Sequence, residues 1–205
     1  MQPVRLWDQV GADARVVVLI LFGGAAAAVP EGAFRGPLWC QDSFDDLSIQ
    51  RALIHRFGER HDVRFLAVAV PPVFAPAHYG FPEGAFSLTS GPVPPSDREP
   101  LRQFIDGTLR QQRASLLPYP QIFFDPYLAL LRRPQGGQDA PWQGSLKWPR
   151  DPRKYGVPTI WVLSGSGRVL CEPFWGNEYA ATPPQIRYGF SDLEAAVERG
   201  LEASP

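Results

Sequence analysis

Two long, predominantly apolar runs constrain the fold of this chain more than any other feature. Residues 16–22 read Val-Val-Val-Leu-Ile-Leu-Phe, and residues 63–70 read Val-Arg-Phe-Leu-Ala-Val-Ala-Val. Such runs are typical of strands in a parallel sheet that is covered on both faces. Residues 43–57 lie between them and repeat apolar side chains at helical spacing, with Ser43 and Asp46 placed to form a capping box. The pattern predicts a parallel strand pair joined by a helical crossover.

The rest of the chain continues the alternation of strands and helices. We predict a strand at residues 121–124 and a hairpin of residues 159–164 and 168–172 around Gly165-Ser166-Gly167. The remaining apolar spacing predicts helices at residues 3–10, 97–116 and 191–201, the last capped by Ser191, and a helical turn at residues 125–131.

The length of 205 residues favours a single domain spanning residues 1–205. The 23 prolines and 19 glycines predict long loops between short elements. Two Pro/Gly-rich insertions are expected, at about residues 71–99 and 132–153. The first carries several aromatic side chains, which either pack on the protein itself or recognise a partner.

Charge and composition exclude several classes of function. The net charge of −1 gives no electrostatic footprint for nucleic acid or an anionic membrane. The apolar run at residues 16–29 is too short to span a bilayer, so no membrane span is expected. Two cysteines fit a reducing compartment, and we predict a cytoplasmic location. The alternative is an exported protein in which residues 16–29 form a signal segment.

Cys40 is the first candidate for chemistry because it lies just before the predicted helix of residues 43–57. The backbone N–H groups at a helix start carry positive partial charge, which favours loss of the thiol proton and a nucleophilic sulfur. The alternative is a packed thiol without chemistry. Two cysteines and three scattered histidines give no metal-ligand spacing, so no metal is predicted.

Two segments then suggest a family. Residues 39–43, Trp-Cys-Gln-Asp-Ser, look like a Trp-Cys-x-x-Cys motif whose second cysteine is replaced, and residues 155–163, Tyr-Gly-Val-Pro-Thr-Ile-Trp-Val-Leu, look like a strand that follows a cis-proline. With this order of elements the chain resembles the thioredoxin superfamily, in particular its redoxin and peroxiredoxin-like branches, with a CxxS motif. The resemblance implies an α/β, thioredoxin-like three-layer fold, in which helices flank a central mixed sheet.

The resemblance also assigns roles to residues. It implies that Cys40 is the catalytic nucleophile and that Ser43 donates a hydrogen bond to its thiolate. Val157 and Pro158 would be joined by a cis peptide bond beside Cys40 and, with Trp39, would form the substrate site. Because Ser43 stands where a second cysteine would be, no disulfide can form within the motif, and the protein would act as a monothiol.

Two further residues are possible members of the site. The resemblance suggests a role for His78 in the first insertion, and a solvent-exposed loop histidine is the alternative. Cys171 is expected opposite Ile160 in the hairpin, either as a buried structural thiol or as a resolving thiol for Cys40.

Two hypotheses of function remain. In the first, the chain is a thiol-dependent redox protein that attacks a disulfide, a peroxide or a glutathione adduct through Cys40. Its substrate would be a disulfide-bearing protein or a small thiol or peroxide. It would need no bound cofactor, with glutathione as a possible reductant. In the second, the chain is a non-catalytic thioredoxin-fold binding or scaffold module that uses its aromatic insertions. The second hypothesis is favoured by the carboxylates of Asp42, Asp45 and Asp46, which lie near Cys40 in the sequence. Carboxylates close to a thiol raise its pKa and so disfavour the reactive thiolate.

Overall fold

A five-stranded mixed sheet forms the centre of the computed structural model, which describes residues 4–26, 37–72, 95–125, 157–180 and 185–203. The strands are β1 (Val16–Gly23), β2 (Val63–Val70), β3 (Ile122–Phe124), β4 (Thr159–Ser164) and β5 (Phe174–Trp175). Their order in the sheet is β3-β2-β1-β4-β5. The helices are α1 (Gln41–Asp45), α2 (Leu47–Phe57), α3 (Pro95–Arg113) and α4 (Phe190–Ala203), preceded by a 3₁₀ turn at Leu6–Gln9. The described chain is therefore an α/β fold.

Strand β1 is the central strand and is paired on both sides. It runs parallel to β2, with Val16 opposite Val63. It runs antiparallel to β4, with Leu21 opposite Thr159. All eight of its residues are buried, which explains why its sequence is apolar throughout rather than alternating.

The two faces of β1 pack into two separate apolar clusters. One face, with Val18 and Phe22, packs against side chains of α2, α3 and α4. The other face, with Leu19 and Leu21, packs against Trp161 of β4 and the N-terminal segment. The crossovers from β1 to β2 and from β2 to β3 step across the sheet in one direction. Right-handed crossovers therefore place α2 and α3 on the same face.

The single helix predicted at residues 43–57 is divided in the structure. The segment contains two helices, α1 and α2, which meet at Asp46. The residue at the N-cap of α1 is Cys40, and no side chain caps that end. Ser43 lies inside α1 and is buried, so the predicted capping box of Ser43 and Asp46 is wrong. Both side chains point into the protein instead.

Other predicted elements differ mainly at their ends. The helix predicted at residues 3–10 is only the 3₁₀ turn, and α3 begins and ends earlier than residues 97–116. Helix α4 begins at Phe190, so Ser191 is not its cap; Asp192 accepts a hydrogen bond from the N–H of Gly189 at 2.8 Å. The helical turn at residues 125–131 and the insertion at residues 132–153 lie outside the described residues beyond Asp125. Most of the first insertion also lies outside them, although its end is the start of α3.

The predicted partner strand at residues 168–172 is also wrong. Val169 makes a single bridge to Leu163, and the strand that pairs with Ile160 contains Phe174. Between these two pairings the chain gains two residues relative to β4. Pro173 falls in this bulge, and it has no N–H to donate to a ladder. Cys171 therefore does not face Ile160.

Among the helices of the described segments, none is both long enough and apolar enough to cross a membrane.

Candidate functional site

The segment that carries Cys40 is tied to the carboxyl ends of β1 and β2. Leu38 forms a bridge with Ala25, and the N–H of Trp39 donates to the carbonyl oxygen of Gly24 at 3.0 Å. The indole Nε1 of Trp39 donates to the carbonyl oxygen of Val70 at 2.7 Å. In open α/β sheets, ligand sites form at these ends of parallel strands.

Gly23, the last residue of β1, allows this segment to approach closely. A Cβ atom at Gly23 would lie 2.6 Å from the Cβ of Cys40 and 2.9 Å from Cε2 of Trp39. Both distances are shorter than van der Waals contact allows. The absence of a side chain at Gly23 is therefore a condition for the position of Cys40.

The sulfur of Cys40 contacts the chain that enters β4. The Val157–Pro158 peptide bond is cis, as the family resemblance implies. The Sγ of Cys40 lies 2.9 Å from the carbonyl oxygen of Val157 and donates a hydrogen bond to it. Val157 and Pro158 are both buried. The site thus brings together four of the predicted residues: Trp39, Cys40, Val157 and Pro158.

Ser43, the fifth predicted residue, hydrogen-bonds both the end of β1 and the Cys40 sulfur. Its Oγ accepts a hydrogen bond from the N–H of Gly23 at 3.0 Å. Its hydroxyl and its backbone N–H also hydrogen-bond the Cys40 sulfur, and these contacts lower the thiol pKa. Ser43 therefore joins the end of β1 to α1 and faces the thiol.

The balance of these effects does not favour a thiolate. Part of the surface of Cys40 stays accessible. Burial of the thiol, with a smaller contribution from the carboxylate of Asp42, nevertheless raises its pKa from 9.0 to about 11. The hydrogen bonds from Ser43 and the N–H of Asp42 oppose this only in part. Desolvation of the charged form therefore outweighs the acidity that the helix start predicts for this thiol.

Asp42 connects the site to the segment that follows β5, a connection that the sequence did not reveal. The amide of Asn177 donates to its Oδ1 at 3.1 Å, and the amide of Gln185 donates to its Oδ2 at 3.2 Å. Asn177 is buried and follows Gly176, whose φ of +133° favours glycine. The Gly-Asn pair at positions 176–177 was the available signal for this turn.

The carboxyl of Asp46 is a buried polar group at the junction of α1 and α2. It has no exposed surface, and its Oδ2 accepts hydrogen bonds from the Tyr188 hydroxyl and from the Gln50 amide, the latter at 3.4 Å. The Tyr119 hydroxyl in turn donates to the Oε1 of Gln50. Tyr188, Gln50 and Tyr119 were not singled out from the sequence, because buried hydroxyls and amides have no local pattern.

Cys171 lies away from Cys40 along β4. The N–H of the preceding residue, Leu170, donates to the carbonyl oxygen of Val162 at 3.0 Å, well beyond the start of β4, where Val157 contacts Cys40. Both cysteines are free thiols. Burial raises the pKa of the Cys171 thiol, and Arg199 of α4 partly opposes this. His78 lies outside the described residues.

Within the described segments, no three His, Cys, Asp or Glu side chains are grouped so that they could hold a metal ion.

No protein-family model matches the chain, and neither the curated proteins nor the solved structures include a match.

Proposed function

We propose that this chain is a thiol-dependent redox protein with a thioredoxin-like arrangement, in which Cys40 is the reacting group. One observation carries the proposal: the Cys40 sulfur lies at the start of α1, 2.9 Å from the carbonyl oxygen of Val157, the residue before Pro158. The order β3-β2-β1-β4-β5, with β4 antiparallel to β1, supports the same arrangement.

The reaction we propose is thiol–disulfide exchange by a single cysteine. The Cys40 sulfur attacks one sulfur of a disulfide and forms a mixed disulfide, while the other sulfur leaves as a thiol that takes up the proton released from Cys40. A small thiol of the glutathione class then attacks the mixed disulfide, regenerates Cys40 and leaves with the bound group. Because Ser43 occupies the position of a second cysteine, this second thiol must come from outside the motif.

The residues of the site have separate roles in this proposal. Ser43 hydrogen-bonds the sulfur and offsets part of the desolvation of its thiolate. Trp39 covers the sulfur, and Val157 with Pro158 forms the wall against which a substrate would lie. A reducing compartment such as the cytoplasm would supply the thiol that completes the cycle.

A second function, a binding module without turnover, is favoured by the pKa of about 11 for Cys40. At pH 7 about one thiol in ten thousand would be ionised at that pKa. A resting protein with so little thiolate reacts slowly unless binding changes the surroundings of the sulfur.

Incubation of the reduced full chain with glutathione disulfide separates the two functions. We expect a glutathione adduct at Cys40, identified by intact mass and peptide mapping, and its release by added glutathione. The Cys171→Ser variant is the matched control and should form the same adduct, whereas Cys40→Ser should form none. An adduct confined to Cys171, or no adduct at Cys40 under conditions in which the urea-unfolded chain forms one there, would favour the binding module.

A further inference from the structure

The strongest feature outside the Cys40 contact is the buried carboxyl of Asp46 at the junction of α1 and α2. Its side chain has no exposed surface. Its Oδ2 accepts the hydrogen bonds of Tyr188 and Gln50, but its Oδ1 is buried without a hydrogen-bond partner among the described residues. A carboxylate needs donors at both oxygens when it is buried, whereas a neutral carboxyl places a proton on one of them.

The groups that face Asp46 also favour its neutral form. From α1, the carboxylates of Asp42 and Asp45 add to the effect of burial and raise the pKa of Asp46 to about 7. The hydrogen bonds from Tyr188, which precedes α4, and from Gln50 of α2 lower it in part. The remaining members of the network are the neutral hydroxyl of Tyr119, which binds Gln50, and Arg51 of α2, whose charge acts on Tyr119.

Helix α1 links this carboxyl to the thiol. The helix has five residues, with Cys40 as its N-cap and Asp46 as its C-cap. The N–H of Asp46 donates to the carbonyl oxygen of Asp42 at 3.1 Å, and the N–H of Phe44 donates to the carbonyl oxygen of Cys40 at 3.1 Å. In so short a helix, a displacement of one end reaches the other end.

We propose that Asp46 is a proton-controlled positioning residue for Cys40. When its carboxyl is neutral, the packed junction holds α1 and keeps the Cys40 sulfur against the carbonyl of Val157. When the carboxyl ionises, three carboxylates act on one short helix and Oδ1 requires water, so the junction opens and the thiol contact loosens. This inference concerns the position and exposure of the Cys40 thiol. It rests on the proposed function only in treating that thiol as the group that reacts.

The test is the pH dependence of Cys40 alkylation by iodoacetamide, a neutral probe, in the full chain with Cys171→Ser. Ionisation of a simple thiol makes the logarithm of the rate rise with unit slope below its pKa. We expect an additional upward step with a midpoint near pH 7. Asp46→Asn should lose that step and keep the slope. Asp45→Asn, a matched change on the same helix, should retain the step at a somewhat lower pH, because the Asp45 carboxylate is one of the groups that raise the pKa of Asp46.

A second variant tests the same residue by a shift rather than a loss. Because the Tyr188 hydroxyl lowers the pKa of Asp46, Tyr188→Phe should move the midpoint of the step to higher pH. Identical rate profiles for the parent and Asp46→Asn would overturn the proposal. If Asp46→Asn does not fold, an unmoved midpoint in Tyr188→Phe overturns it.

The two proposals fail in different ways. Absence of a glutathione adduct at Cys40 would remove the redox function and leave the alkylation step unaffected. A glutathione adduct together with a featureless alkylation profile would keep the redox function and remove the role of Asp46.

Discussion

The pH dependence of stability provides the sharpest test of the buried Asp46 network. Asp46 has its ordinary pKa of 3.8 when the chain is unfolded, and burial raises that pKa to about 7 in the folded protein. The folded state therefore binds a proton that the unfolded state releases between these two values. We predict that the free energy of unfolding falls as the pH rises from 5 to 8.

The magnitude follows from the difference between the two pKa values. About three pKa units correspond to about 4 kcal/mol between the acidic and alkaline limits. The contribution is complete below the unfolded pKa and is lost as the pH rises through the folded pKa. Between pH 5 and pH 8 the expected fall is about 2.5 kcal/mol, because part of the loss occurs below pH 5.

This window separates Asp46 from carboxyls with the opposite sign. Hydrogen bonds from Arg60 and Arg102 hold the pKa values of Asp62 and Glu99 below their ordinary range. The stability that these two groups contribute is lost as the pH falls from their ordinary values of 3.8 and 4.5 through their lower folded pKa values. They leave the interval from pH 5 to pH 8 unaffected.

The measurement is urea unfolding of the full chain at pH 5 and pH 8, followed by tryptophan fluorescence. In Asp46→Asn the side-chain oxygen still accepts the Tyr188 hydroxyl bond, but no group titrates at that position. Its absolute stability is expected to fall by about 1–3 kcal/mol, because the new amide brings a donor to a buried position without an acceptor. The pH dependence is the readout, and Asp46→Asn should lose the fall of about 2.5 kcal/mol. Equal pH dependence in the parent and Asp46→Asn would refute the reasoning, while Asp45→Asn serves as the control that keeps it.

Three further predictions concern the surroundings of Cys40. First, native Cys40 should react with iodoacetamide at pH 7 about tenfold more slowly than a peptide of the same sequence. A pKa two units higher lowers the thiolate fraction about 100-fold, while the nucleophilicity of that thiolate rises about tenfold. An equal or faster rate would contradict the raised pKa. Second, Gly23→Ala should lower the free energy of unfolding by about 1–3 kcal/mol, because the new methyl group overlaps Cys40 and Trp39, and an unchanged urea midpoint would contradict the close approach. Third, Asp42→Asn should lower the pKa of Cys40 and speed its alkylation at pH 7, because it removes a carboxylate that opposes the thiolate. The same change weakens the hydrogen bond from Asn177 to residue 42. A slower rate would show that this hydrogen bond matters more for the reactivity of Cys40 than the charge does.

The strands could be predicted from the sequence because their burial is encoded locally. The predicted limits of β2 and β4 match the structure, and β1 extends one residue further, to Gly23. Apart from the exposed Arg64 of β2, every residue of these strands is buried, so a nearly continuous apolar run reveals each strand in the sequence. The parallel pairing of β1 with β2 followed from the helix between them.

The contacts of the site could not be predicted from local pattern. Cys40 meets Val157 across 117 positions of the chain, and Asp46 meets Tyr188 across 142. A carboxylate at position 46 looks like a helix-cap residue in the sequence, and only the fold shows that it faces a buried hydroxyl. For the same reason, the sequence indicated the helix start at Cys40 but not the desolvation that outweighs it.

The contact with Val157 makes the reactivity of Cys40 conditional. A carbonyl oxygen accepts a hydrogen bond from the neutral thiol and repels a thiolate, so the resting geometry stabilises the form that does not react. The groups that stabilise a thiolate, the Ser43 hydroxyl and the N–H groups of Asp42 and Ser43, belong to α1. A movement that takes the sulfur away from the carbonyl of Val157 and keeps these hydrogen bonds would therefore favour the thiolate. In the two proposals made above, binding of a disulfide against Val157 and ionisation of Asp46 would each produce that movement independently, so their effects on the rate should combine.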